Sequence, residues 1–193
     1  MLKNTQLLVK LSMLSAVAFL LMMLNFPLPF LPEFLKIDFS DVPALLAAIL
    51  FSPMAGVVVE ALKNILYYLF KGSGVPIGEL SNFIAGCAFI LPVAFFYHKR
   101  KTKGALAKGL IAGTVLMVLL LAVLNYFLIL PAYAWFFGMD YMLDPAVKLG
   151  LTTGAIIPFN LIKSACVAAL FIPLFVKLKP WIRQQSLQTG PIS

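Results

Sequence analysis

The chain has 193 residues, 62% of them hydrophobic and 11% charged, against about a quarter charged in a soluble domain, which excludes an ordinary soluble globule. Its mean hydropathy of +1.01 comes from apolar runs near or above the ~18 residues that mark a spanning helix, so it reads as an integral membrane protein. The net charge of +8 needs no nucleic-acid partner and none is expected, because Lys and Arg of membrane proteins collect on cytoplasmic loops.

In chain order the first run, Leu7 to Leu24, has no small-residue cleavage site and continues into Asn25-Phe26-Pro27-Leu28-Pro29. It is therefore expected to be a retained helix and not a signal peptide. The whole chain is expected to be one all-α domain, a bundle of six transmembrane helices over 7–26, 41–52, 54–70, 78–97, 105–129 and 153–177. The second is short: Asp41 to Phe51 supplies only ~16 Å of helix, too little for a ~30 Å hydrocarbon core. Ser52-Pro53 then breaks the run, with the proline suited to the first turn of the next helix. Whether the second and third helices cross or form a shallow hairpin, the parity of crossings is the same.

Charge sets the orientation. Ten of the fifteen Lys and Arg fall in three stretches without acids: Lys3 and Lys10; Lys99, Arg100, Lys101, Lys103 and Lys108; Lys177, Lys179 and Arg183. Lys36, Lys71 and Lys148 lie in the alternating loops, and Lys63 and Lys163 lie inside apolar runs. Cytoplasmic N- and C-termini put ten basic residues inside and three outside, and the reverse orientation inverts the ratio. Glu33, Asp38, Asp41, Glu79, Asp140 and Asp144 then fall on or near the outer side, with Glu60 the one deep acid. The outer segments 27–40 and 130–152 are rich in proline and aromatics. They are expected to be ordered loops, either an interfacial aromatic belt or a lid over an outward cavity.

Polar groups inside apolar runs are costly and usually face a partner or a cavity. Glu60, Lys63 and Asn64 share one helix face at i, i+3 and i+4. They read as a structural ion pair with its neighbour. Asn125, Asn160, Lys163, Glu79 and Asn82 converge from three helices on the outer half of the membrane. That convergence reads as a ligand cavity. Lys163 has no carboxylate within four residues of its own helix. Pro158 cannot bond to the carbonyl of Gly154 and distorts the sixth helix one turn from Lys163. Cys87 and Cys166 read as inert buried thiols, and His98 alone builds no metal site. No ATP-binding loop, nucleophile elbow or metal set occurs in the sequence, so no enzyme activity and no cofactor are expected. Ser12 and Ala16 form a small-xxx-small pair that lets another helix approach closely.

The chain resembles the riboflavin-specific S components of energy-coupling factor (ECF) transporters along its whole length. The likeness is carried by Phe26-Pro27-Leu28-Pro29, Leu35-Lys36-Ile37-Asp38-Phe39-Ser40-Asp41-Val42-Pro43 and Glu60-Ala61-Leu62-Lys63-Asn64. It continues in Gly78-Glu79-Leu80-Ser81-Asn82-Phe83, Leu124-Asn125-Tyr126, Leu130-Pro131-Ala132-Tyr133 and Ile157-Pro158-Phe159-Asn160-Leu161-Ile162-Lys163. The resemblance implies a subunit of the bacterial plasma membrane that captures riboflavin at its outer face, with the vitamin as transported ligand. Its implied partners are a transmembrane coupling protein and two cytoplasmic ATPases. It places Asn125, Asn160 and Lys163 on the flavin ring, and Glu79, Asn82, Leu35 and Phe39 in a pocket made by the first outer loop and helices four to six. Phe39, Tyr126 or Trp135 would pack on the ring. The family's Ala-xxx-Ala contact with the coupling protein here reads Ser12-xxx-Ala16. Alternatives are a pocket for flavin mononucleotide, with Lys36 or Lys148 on the phosphate, or for another vitamin. A different class is an autonomous ion-coupled carrier with Glu60 or Glu79 titrating.

Overall fold

The computed structural model describes residues 2–72 and 74–188, with side chains over 5–72 and 74–178. The side chains of Lys3, Lys179 and Arg183, and the end of the expected cytoplasmic stretch 178–193, lie outside the described residues. Helix α1 (Leu2–Met23) leads into a two-stranded antiparallel ribbon, β1 (Phe26–Pro27) and β2 (Lys36–Ile37), with Phe26 opposite Ile37. Then follow α2 (Asp41–Leu50), α3 (Pro53–Lys71), α4 (Ile77–Arg100) and α5 (Lys103–Leu124). A π-helical turn over Asn125–Ile129 joins α5 to α6 (Leu130–Phe137), and a 3₁₀ turn at Asp140–Leu143 precedes α7 (Pro145–Leu151). A second π turn, Thr152–Ile156, joins α7 to α8 (Ile157–Gln188).

Local chemistry sets the boundaries. The Ser52 hydroxyl accepts from Ala55 N at 3.1 Å and Pro53 takes the first turn, so α2 and α3 separate there. Thr102 caps α5 in the same way through Ala105 N at 3.1 Å, after Lys101 turns through a left-handed conformation. Asp144 caps α7 through the amides of Ala146 and Val147.

Segment 130–152 differs from the expected loop, being mostly helical. The cause is visible at its prolines. Leu130 N–H reaches back five residues to Asn125 O, and Ile157 N–H reaches Thr152 O. Each π turn therefore closes one residue before a proline, Pro131 or Pro158. The wider turn takes up the missing donor and the ring's clash, and the helix continues instead of ending.

Among the described residues six continuous helical stretches result. Four are long and apolar enough to cross a membrane: Thr5–Met23, Ile77–Arg100, Lys103–Phe137 and Pro145–Leu178. Helix α2 has 10 residues, as short as expected, and α3 carries Glu60, Lys63 and Asn64 within 19 residues. The core lies where α2 and α4 meet α3, α5 and α8. Helices α4 and α5 approach most closely at Gly109 and Gly113, where a Cβ would collide with the backbone of Val93 and Phe89. At the basic end of α4, His98 Nε2 lies 2.7 Å from Ala48 O and pins that end to α2. Helix α1 packs on α2 and α3 and presents Leu8, Met13 and Leu20 outward.

Candidate functional site

At the opposite end the packing opens into a cavity of about 380 Å³, within the ~300–1,000 Å³ range of small-molecule sites. Its roof is segment 34–38 after the ribbon, and its walls are the ends of α1 and α3, the start of α4, the α5–α6 junction and α8. The roof is held in place by Asp38, whose Oδ1 accepts from Ser40 N at 2.9 Å and from the Ser40 hydroxyl. Asp38 and Ile37 are buried beneath it.

Six residues expected at the site come together here: Asn125, Asn160, Lys163, Glu79, Asn82 and Leu35 all line the cavity. The two asparagines are set alike. Asn125 Nδ2 donates to Leu121 O and Asn160 Nδ2 to Ile156 O, each at 2.8 Å and one helical turn back. Asn125 opens the first π turn, and Asn160 lies four residues after the second. With one N–H used, each amide keeps a second N–H and its Oδ1, which has no partner among the described residues. A side chain that both donates and accepts can then read a ligand edge carrying both kinds of group.

Phe39 and Tyr126 stand elsewhere. Neither is among the lining residues, and Tyr126 lies under the Lys148 ammonium at 4.8 Å. Trp135 is 73% exposed. The aromatic wall is made instead by Phe34, Tyr133 and Phe137, with ring centroids 5.5 and 5.6 Å apart in sequence along the three. Gly78 admits that wall: a Cβ there would sit 3.3 Å from the Tyr133 hydroxyl. Asn25 and Tyr67, joined by an Asn25 Nδ2 to Tyr67 Oη bond of 2.7 Å, complete the far side. Sequence reading missed these residues because nothing in helical spacing announces which loop aromatic turns inward.

The acids require the largest correction. Glu60 is not the one buried acid: Asp38 and Asp41 are 4% and 1% exposed. Nor are the two polar clusters separate. Asp41 bridges them, with Oδ1 2.5 Å from Lys63 Nζ and Oδ2 3.6 Å from Lys163 Nζ. Lys63 also lies 2.9 Å from Glu60 Oε1, and Lys163 lies 3.3 Å from Asp38 Oδ2. Charges thus alternate along Glu60, Lys63, Asp41, Lys163 and Asp38. Asn82 makes a second bridge, accepting from Lys163 at 2.6 Å and donating to Asn64 Oδ1 at 3.2 Å. Lys163 lacks an acid on its own helix but obtains two from the segment after the ribbon.

Glu60 joins this row through charge alone. Its carboxylate makes no hydrogen bond among the described residues and rests against Gly86, where a Cβ would collide with it. Lys63 and Glu60 are fully buried, whereas Lys163 Nζ borders the cavity. Among the described residues no group of three or more His, Cys, Asp or Glu has a geometry suited to a metal ion. Ser12 and Ala16 are exposed on α1, away from the cavity. The site therefore offers three mutually tilted aromatic rings, two amides and one ammonium to a ligand of mixed donor and acceptor character.

Residues 6–175 match the family model of the ECF transporter, substrate-specific component. The chain is 52% identical over 180 residues to the riboflavin transporter FmnP of Bacillus subtilis (strain 168), covering 92% of this chain and 94% of that protein. It is 41% identical over 177 residues to the riboflavin transporter RibU of Staphylococcus aureus (strain TCH60), covering 92% of each. A solved structure described as the S component of a bacterial ECF transporter superposes with a TM-score of 0.80 at 41% identity. The likeness covers 93% of this chain and 98% of that one.

Proposed function

The chain belongs to the substrate-specific components of ECF transporters, and on that premise we propose that it binds riboflavin in the cavity beneath the β1–β2 segment for uptake across a bacterial plasma membrane. The observation that carries this reading is that Asn125, Asn160 and Lys163 line one cavity together with Phe34, Tyr133 and Phe137. Riboflavin is uncharged, with a flat ring whose edge carries several acceptors and one N–H. The amides match an edge of alternating donor and acceptor, and Lys163 donates to a ring acceptor. The aromatic wall packs on the ring face. Glu79, Asn82 and Leu35 complete the pocket, and the ribityl hydroxyls have polar partners at the Asn25–Tyr67 side.

Six crossings with both termini cytoplasmic agree with the ten-to-three division of basic residues. The cavity then opens outward, and α1 presents Ser12 and Ala16 to a transmembrane coupling protein driven by two cytoplasmic ATPases. An autonomous ion-coupled carrier is the competing class. The test is twofold. Protein purified in detergent binds riboflavin stoichiometrically and quenches its fluorescence, and uptake in cells requires the ATPases. Failure to bind riboflavin, or uptake by the lone protein driven by an ion gradient, overturns the reading.

A second reading extends the ligand to flavin mononucleotide. Lys36 and Lys71 both line the cavity, whereas Lys148 sits over Tyr126 instead. Two exposed ammonium groups on the lining suit a phosphate at the end of the ribityl chain. Competition of flavin mononucleotide with bound riboflavin, weakened by Lys36→Ala with Lys71→Ala, supports it; no competition rejects it.

A further inference from the structure

Asp41 does not line the cavity, yet it is one of the three groups around the cavity's ammonium. It opens α2, is 1% exposed, and spends its two carboxylate oxygens on two different lysines. Oδ1 meets Lys63 at 2.5 Å and Oδ2 faces Lys163 at 3.6 Å. Lys63 is in turn held by Glu60 on its own helix at 2.9 Å. Lys163 therefore belongs to a charged row anchored in α3, and its other contacts, Asp38 and Asn82, both belong to the cavity lining. A ligand acceptor entering the cavity competes with those two lining groups for the ammonium's three protons. Asp41 lies behind Lys163 and outside the lining, so the ligand does not displace it. We infer that Asp41, backed by Lys63, is a positioning residue for ligand recognition: it holds the Lys163 ammonium at the cavity wall while the lining contacts exchange for the ligand.

The geometry favours this over simple charge neutralisation in the core. Each lysine also has a carboxyl that the other lacks, Glu60 at 2.9 Å from Lys63 and Asp38 at 3.3 Å from Lys163. Asp41 adds a link between the two, and its 3.6 Å spacing to Lys163 leaves the ammonium free to turn its protons toward the cavity. The residue acts through Lys163 and touches no ligand itself.

The inference rests on the riboflavin reading, and the full-length protein in detergent separates the two. Riboflavin affinity, the visible absorption band of bound riboflavin and the thermal midpoint are measured for the unmodified protein, Asp41→Asn, Lys163→Ala and their combination. Asp41→Asn/Lys63→Met, which removes one charge of each sign, is measured beside them. Asp41→Asn is expected to weaken riboflavin about tenfold and to displace the absorption band, as the loss of a positioned donor does. In the Lys163→Ala background the same change is expected to have no further effect on affinity, because its route to the ligand is gone. The charge-balanced variant is expected to fold and to bind as weakly as Asp41→Asn. Native affinity in Asp41→Asn or in the balanced variant overturns the inference, and so do losses that simply add to that of Lys163→Ala. Unfolding of both Asp41 variants also overturns it, since Asp41 would then serve the fold and not the site. An unmodified protein that fails to bind riboflavin overturns the reading beneath it instead.

Discussion

The surroundings of Lys63 and of Lys163 contain the same ammonium group, both share Asp41, and both are buried, at 0% and 3% exposed. They differ in what fills the remaining space. Around Lys63 it is protein: Glu60, Asp41 and the helices α2 and α4 that close over α3. Around Lys163 it is partly the cavity, lined by Asn82, Asp38 and Asn160. A buried charge whose partners are all internal is an element of the fold, and one that borders empty polar space is available to a ligand. The same contrast runs through the helices. The closed side brings α4 against α5 through Gly109 and Gly113, whereas the open end carries both π turns and the ribbon.

The sharpest way to break this comparison is to delete each ammonium in turn. Lys63→Ala leaves Asp41 and Glu60 buried without their cation, which costs ~3–5 kcal/mol of stability. The expected outcome is a large fall in the thermal midpoint, or loss of folded protein, followed by circular dichroism in detergent. Lys163→Ala is expected to weaken riboflavin at least about tenfold, the consequence of an unpaired buried acceptor, with a smaller fall in midpoint than Lys63→Ala causes. If instead Lys63→Ala remains as stable as Lys163→Ala, the two lysines do not divide their tasks as described.

Gly86→Ala tests the closed side without removing a charge. The added methyl meets the Glu60 carboxylate, an overpacking that costs ~1–3 kcal/mol. Stability measured by thermal unfolding should drop while riboflavin affinity, measured by titration, stays within about threefold of native. A large affinity loss at native stability would place Glu60 in the binding machinery. The smallest effects sharpen the open side. Phe34→Ala should weaken binding by the ~0.5–1.5 kcal/mol of an aromatic contact and more, while Phe39→Ala and Tyr126→Ala should cost less than it does. The reverse order, read from dissociation constants, would return the ring partner to Phe39 or Tyr126.

Much of this was legible beforehand. Asn125, Asn160, Lys163, Glu79 and Asn82 were gathered from three helices by counting crossings and depth, and they do line one cavity. The short α2 was evident from the distance between Asp41 and Pro53. What failed was confined to segments where local rules leave several outcomes open. The fifth helix is expected to end at 129 with a loop over 130–152, but a π turn carries the helix on through Pro131. Asp38 and Asp41 looked like outer-loop acids because no helical spacing ties them to Lys163, which is 125 residues away from Asp38.

By itself, the sequence determined that this is a helical membrane protein, which ends carry the basic residues, and which polar side chains are too costly to leave facing lipid. Those conclusions depend on composition, run length and position along a helix, all of which are local. Only the tertiary structure decided that the two polar clusters form one charged row, that Asp41 joins them, and that Phe34, Tyr133 and Phe137 make the aromatic wall. The physical reason is that a carboxylate has two oxygens and no preferred partner along the chain. Which ammonium each oxygen meets is decided when α2, α3 and α8 pack together.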